Sequence, residues 1–168
     1  MSMPLAIRRY VTGLDEQGRS VVADCREITE SGGAGNFNLW ITGFGIDPLN
    51  ETAGFPFFPR QDQTLFRIFR IPPSGSLDPA ALEQIAQGFF AEIGDAACKV
   101  DTTRHPLMHA TPTIDYVLLL SGEAALLLDE GEPAPLKPLD AVVQRGVNHM
   151  WINTGTLDAV FLAVMIGA

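Results

Sequence analysis

The chain has 168 residues, enough for one domain that buries a core without disulfides or structural metals. With 46% hydrophobic and 18% charged residues it has the composition of a folded globular protein and not of a disordered one. The formal charge of −9 is spread along the chain, with 13 acids and 9 bases up to Arg104 and 7 acids and 2 bases from His105 onward, so no basic face for nucleic acid or an anionic membrane is expected.

Segments 6–12 and 20–25 read as two strands joined by a polar turn at Asp15–Gly18. A flexible Gly32–Gly35 connection leads to a strand, Phe37–Thr42. The irregular stretch Gly43–Gln63 carries Phe55, Phe57 and Phe58, whose apolar surface needs a cover. It reads as an arm packed on a partner subunit, with a lid as the alternative. Thr64–Ile71 is a strand ended by Pro72-Pro73. Asp78 as N-cap, Pro79 in the first turn, and Leu82, Ile85, Phe89 and Ile93 at three- and four-residue steps predict a helix over 79–93. Six short strands follow at 114–120, 124–129, 134–137, 141–144, 149–153 and 159–166, separated by turns rich in Gly, Asn, Asp and Pro. That spacing predicts an all-β antiparallel sandwich or barrel. Cys25 and Cys98 stand far apart and read as reduced, buried thiols. The first ten residues lack the apolar core of a signal peptide and no apolar stretch is long enough to cross a bilayer, so a soluble cytoplasmic protein is expected.

The chain has three histidines, His105, His109 and His149. Side chains two residues apart on a strand share a face. His109, Thr111, Thr113 and Asp115 therefore point one way, as do His149, Trp151 and Asn153. With both faces inward, two imidazoles and a carboxylate surround one cavity, a start for a divalent metal.

Two segments then match a known pattern. His109-Ala-Thr111-Pro-Thr-Ile-Asp115, six residues, Gly122 resembles the first motif of the cupins, His-x-His, three or four residues, Glu, six residues, Gly. Gln144-Arg145-Gly146-Val-Asn-His149-Met-Trp-Ile-Asn153 resembles the second, Pro-x-Gly, two residues, His, three residues, Asn. The resemblance implies a single cupin domain over residues 1–168, a jelly-roll β-barrel with an N-terminal strand extension and one outer α-helix. It implies a metal set of His109, Asp115 and His149, holding iron, zinc, manganese or nickel, with His109 and His149 catalytic. It also implies a homodimer. The pattern departs at Thr111, which replaces an imidazole with a neutral hydroxyl, at Asp115 for Glu, at Gln144 for Pro, and at Leu139 for the Gly of a Gly-Asp turn.

The remaining pocket candidates have two readings each. Asp115 is a ligand or anchors a turn. Trp151 stacks on a ligand or packs the barrel, and Arg145 grips a substrate carboxylate or is solvated. Thr111, Thr113 and Asn153 share the inward faces. His105 shares parity with His109 as a third imidazole, or lies at the surface or an interface. Gly146 serves a turn that needs positive φ. The partner is a small organic molecule, apolar or aromatic. Two functions stand side by side: a metal-dependent dioxygenase, decarboxylase or isomerase, and a metal-poor protein that holds a small hydrophobic ligand. Thr111 favours the second; the triplet of His109, Asp115 and His149 favours the first.

Overall fold

A computed structural model of the chain describes residues 5–30, 35–46, 54–73, 78–94 and 96–168. Most of the Gly32–Gly35 connection and the middle of the Gly43–Gln63 stretch lie outside the described residues.

The chain runs β1 (Ile7–Leu14), β2 (Ser20–Ile28), β3 (Asn36–Thr42), β4 (Thr64–Ile71), α1 (Pro79–Ile93), β5 (Thr113–Ser121), β6 (Ala124–Leu127), β7 (Ala134–Leu136), β8 (Ala141–Gln144), β9 (Met150–Asn153) and β10 (Ala159–Gly167). A five-stranded sheet in the order β3-β4-β10-β5-β8 faces a three-stranded sheet, β7-β6-β9. This is the expected all-β jelly-roll arrangement. Strand β10 sits at the centre of the large sheet, and its register fixes what faces inward. Leu65, Met165 and Asp115 form one rung, Arg67, Ala163 and Val117 the next, and Phe69, Phe161 and Leu119 a third. Between the sheets Leu65, Phe161, Ala159 and Leu119 are fully or almost fully buried, and the Phe69 and Phe161 rings stack with centroids 4.8 Å apart.

The four N-terminal strands divide. Strands β3 and β4 extend the large sheet, whereas β1 and β2 form a sheet of their own. The division follows the outward side chains: Phe37, Leu39, Phe66 and Ile68 present a second apolar surface, which Ile7 and Ile28 of the hairpin cover. Arg9 fastens the hairpin, donating to Leu39 O at 3.0 Å and pairing with Asp24 at 2.7 Å while its guanidinium lies over the Trp40 ring.

Helix α1 is bounded as its sequence dictates. Asp78 accepts from the Ala81 amide at 2.8 Å, and Gly94 closes the other end at φ 70°. Its predicted stripe is only partly covered by protein, because Ile85 and Phe89 face the mouth of the barrel rather than its outer wall.

The described part of the aromatic arm packs on its own chain. Phe55 and Phe58 pack on the main core of their own chain, and Phe57 meets Phe89 edge-on at 5.4 Å. All three rings are half-buried, and Phe57 lines the cavity. Cys98 is buried but Cys25 is exposed, because it occupies an outward position of β2 in the hairpin. No described helix is long and apolar enough to cross a membrane.

Candidate functional site

His109 precedes β5 and His149 precedes β9, and the two residues bridge the sheets as an antiparallel pair. Each backbone N–H donates to the other's carbonyl, at 3.1 and 3.0 Å. Their rings lie side by side with centroids 4.6 Å apart. Each ring folds back on its own chain in the same way, His109 Nδ1 lying 2.9 Å from Leu107 O and His149 Nδ1 3.0 Å from Val147 O. A carbonyl only accepts, so each Nδ1 carries the hydrogen and each Nε2 keeps its lone pair. Burial pushes His149 down to about 3, with the neighbouring His109 adding to the effect. Burial also lowers His109. Both imidazoles are therefore neutral bases near pH 7.

The rings open into a cavity of about 700 Å³ between the sheets. Phe89 covers His109 edge-on at 4.9 Å and Trp151 meets His149 at 5.6 Å, so the imidazoles stand in a continuous aromatic column. Met165, Val117 and Ala163 line the floor. Such a lining suits an apolar or aromatic body with few polar groups.

Asp115 lies on the same wall, 5% exposed, and its Oδ1 has no hydrogen-bond partner. Desolvation lifts its carboxyl to about 6, against the opposing pull of the Thr113 hydroxyl and the Arg67 charge. Arg67 also lines the cavity and is only 4% exposed. Its Nε–H donates to Asn38 Oδ1 at 3.0 Å, Nη2–H donates to Pro56 O at 3.1 Å, and the guanidinium lies over Phe57. Desolvation lowers it to about 10, so it remains a cation at neutral pH.

Among the described residues no three His, Cys, Asp or Glu side chains are grouped to hold a metal ion. The two Nε2 atoms are suitable donors, but Asp115 does not join them. The chain turns between the two residues, with the Thr113 amide donating to Thr111 O at 2.8 Å, and Asp115 belongs to β5 while His109 precedes it. Thr111 supplies no third imidazole, and its hydroxyl is engaged with Thr113 Oγ1 at 2.8 Å. The residues present do not fit the three-ligand set that the sequence pattern implies.

The other candidates are dispersed. Thr111 and Trp151 line the cavity, while Thr113 is buried behind Thr111. Asn153 is spent on backbone, donating to Ile71 O and Leu157 O and accepting from the Gly155 amide. Arg145 is exposed in a shallow surface depression beside Val143 and Val147, because the turn after β8 points it outward. His105 is half-buried outside the cavity lining, its Nδ1 accepting from the Leu107 amide at 3.2 Å. Gly146 stands at φ 66°, and a Cβ there would lie 3.2 Å from Thr111 O. That close approach is what sets the Thr111 segment against the second motif. Gln144, in place of proline, holds the same turn by donating to Val147 O and accepting from the Arg145 amide.

Sequence reasoning passed over Arg67 and Asn38, and read Phe57 only as part of the arm or lid and Phe89 only as part of the helix stripe. Arg67 had a signal: it stands between Leu65 and Phe69 on the apolar parity of β4, where a charge requires a reason.

No protein-family model matches the chain. It is 32% identical over 167 residues to a cupin-domain-containing oxidoreductase of Aspergillus ruber, covering 94% of this chain and 71% of that protein. The chain belongs to the cupin family. This cupin is also 55% identical over 151 residues to phomopsin biosynthesis cluster protein D of Diaporthe leptostromiformis, covering 86% of this chain and 69% of that one. Among solved structures, a putative ethanolamine utilization protein Q of Salmonella typhimurium aligns over 98% of both chains with TM-score 0.43 and 12% identity. An RmlC-like cupin of Methanocaldococcus jannaschii aligns over 65% of this chain and 74% of its own with TM-score 0.41 and 13% identity.

Proposed function

We infer that this cupin is a small-molecule enzyme that moves a proton on an apolar carbonyl compound bound between its sheets, with His149 and His109 as the proton acceptors; burial weakens both as bases, so the imidazolium that forms must be stabilised by the enolate charge that develops beside it. One observation carries the reading: two neutral imidazoles, each with Nδ1–H on a backbone carbonyl and an unprotonated Nε2, line one largely apolar cavity. Of the reaction classes the sequence pattern implies, isomerisation needs least from elsewhere. A base takes a proton from carbon beside a carbonyl, the electron pair moves onto oxygen, and the proton returns to another atom. The relatives named oxidoreductases suggest an oxidation, for which the same base supplies the proton half and an external electron acceptor the rest. Holding a ligand without turnover is the second reading, and Thr111 in place of an imidazole favours it.

Solvent exchange separates them. Phenylacetone in deuterated buffer should lose its carbon-bound hydrogens faster with wild-type protein than with buffer, by at least tenfold, and His149→Gln should abolish the gain. The rate should be unchanged by a chelator. Exchange no faster than buffer, with phenylacetone bound, would leave the ligand-holding reading; exchange abolished by the chelator would point to a metal.

A further inference from the structure

The same cavity is lined by a second pair of polar side chains, Arg67 and Asp115. Arg67 on β4 and Asp115 on β5 face it from strands that flank β10. Adjacent strands lie about 4.8 Å apart, so roughly 10 Å separates the two backbones. Between these strands β10 places Ala163 opposite Arg67 and Met165 opposite Asp115, so the two polar side chains stand on adjacent rungs, and both β10 residues line the cavity. The two side chains do not close this space with a direct ion pair. Arg67 is held back by Asn38 and Pro56, and Asp115 Oδ1 is left buried without a donor. A buried acceptor without a donor is costly, so a fold that keeps one beside a cavity gains by a ligand that completes it.

We propose that Arg67 and Asp115 form a head-group subsite for a neutral carboxamide, whose carbonyl accepts from the guanidinium and whose N–H donates to Asp115 Oδ1. Charge selects the class. An anion would gain Arg67 but meet Asp115 and also Glu92, which lines the cavity from α1 and whose charge reaches Arg67. A cation would gain Asp115 and Glu92 but offers the guanidinium no acceptor and sets its charge against it. A group with an acceptor and a donor side by side satisfies both partners and leaves the local charge unchanged. Asn38 is the positioning residue: it sits opposite Arg67 in the β3–β4 register and fixes the Nε edge. The subsite deepens the reading of the cavity as a small-molecule site and does not use the imidazoles.

Calorimetry with phenylacetamide, N,N-dimethylphenylacetamide and phenylacetate at pH 7.5 tests this on the wild-type protein. Phenylacetamide should bind at least tenfold more tightly than either of the others, since one lacks the donor and the other adds a charge. Arg67→Gln should weaken phenylacetamide at least tenfold, and Asp115→Ala should erase its advantage over the dimethyl compound. Asn38→Ala, which keeps the cation, should weaken it by a smaller factor. Phenylacetate binding as well as the amide, or equal affinity across the three probes, overturns the proposal even if the Arg67 variant does not fold. Loss of exchange in His149→Gln with amide binding intact separates the two sites; failure of amide binding with exchange intact removes the subsite alone.

Discussion

His149 shows what burial does to one side chain. In the unfolded chain its imidazole takes a proton near pH 6.5, but in the folded protein it stays neutral down to about 3. Between these values the unfolded state binds the extra proton, so stability present above pH 6.5 is lost as the pH falls. Asp115 acts in the opposite sense: it is held at about 6 against an ordinary 3.8, so the folded state keeps a proton in that window and recovers stability as pH falls below 6. The two trends overlap in wild-type protein and a single titration would blur them. The stability difference between wild type and His149→Gln isolates the imidazole. That difference should narrow by about 2 kcal/mol between pH 7 and pH 5, read from urea midpoints, because each pH unit below 6.5 is worth about 1.4 kcal/mol. A difference that stays constant would mean that His149 takes up its proton in the folded protein at the same pH as in the unfolded chain.

At the scale of the elements, most boundaries were legible, because alternation, caps and turn residues act locally. The helix over 79–93 and the strands at 64–71 and 141–144 stand as their patterns dictate. What could not be read was where elements go. Nothing within segments 6–12 and 20–25 says that their hairpin leaves the main sheet; that depends on the outer face of β3 and β4. Likewise parity brings His109, Thr111 and Asp115 to the cavity but not Thr113, because the chain turns between Thr111 and Thr113 before β5 begins. Arg145 was placed by neighbourhood in a motif, and the turn geometry turned it outward. One element also holds a strain that the sequence did show. Leu139, where the family pattern has glycine, adopts φ 76° and is 76% exposed. The turn survives because Leu139 N donates to Leu119 O and Asp140 Oδ2 accepts from the Lys137 amide. A left-handed backbone costs a non-glycine residue about 1–2 kcal/mol, offset in part by the freedom glycine adds to the unfolded chain. Leu139→Gly should therefore raise stability by about 0.5–1 kcal/mol, seen as a rise of roughly 2 °C in the thermal midpoint. A fall would show that Leu139 packs on something in solution.

For the molecule as a whole, the cavity sets stability against function. A barrel filled to ordinary interior density would gain dispersion contacts that this one forgoes over about 700 Å³. Ala163 is where the two demands meet: it lies on the central strand, 2% exposed, between the Arg67 and Val117 side chains. Its methyl keeps the floor open and the head-group region reachable. Ala163→Leu would extend three more carbons into this space without displacing backbone. Forcing such atoms into a packed core costs about 1–3 kcal/mol, but against an open cavity they find room and bury apolar surface. The variant should therefore match or exceed wild-type stability, by up to about 1 kcal/mol, while phenylacetamide no longer raises its thermal midpoint. In wild type the same compound, at a hundred times its dissociation constant, should add about 2.7 kcal/mol. Destabilisation beyond about 3 kcal/mol would show that no usable space exists above Ala163. Unchanged binding would place the ligand elsewhere. A more stable protein that has lost its ligand is the outcome expected of a fold that keeps its interior open for use.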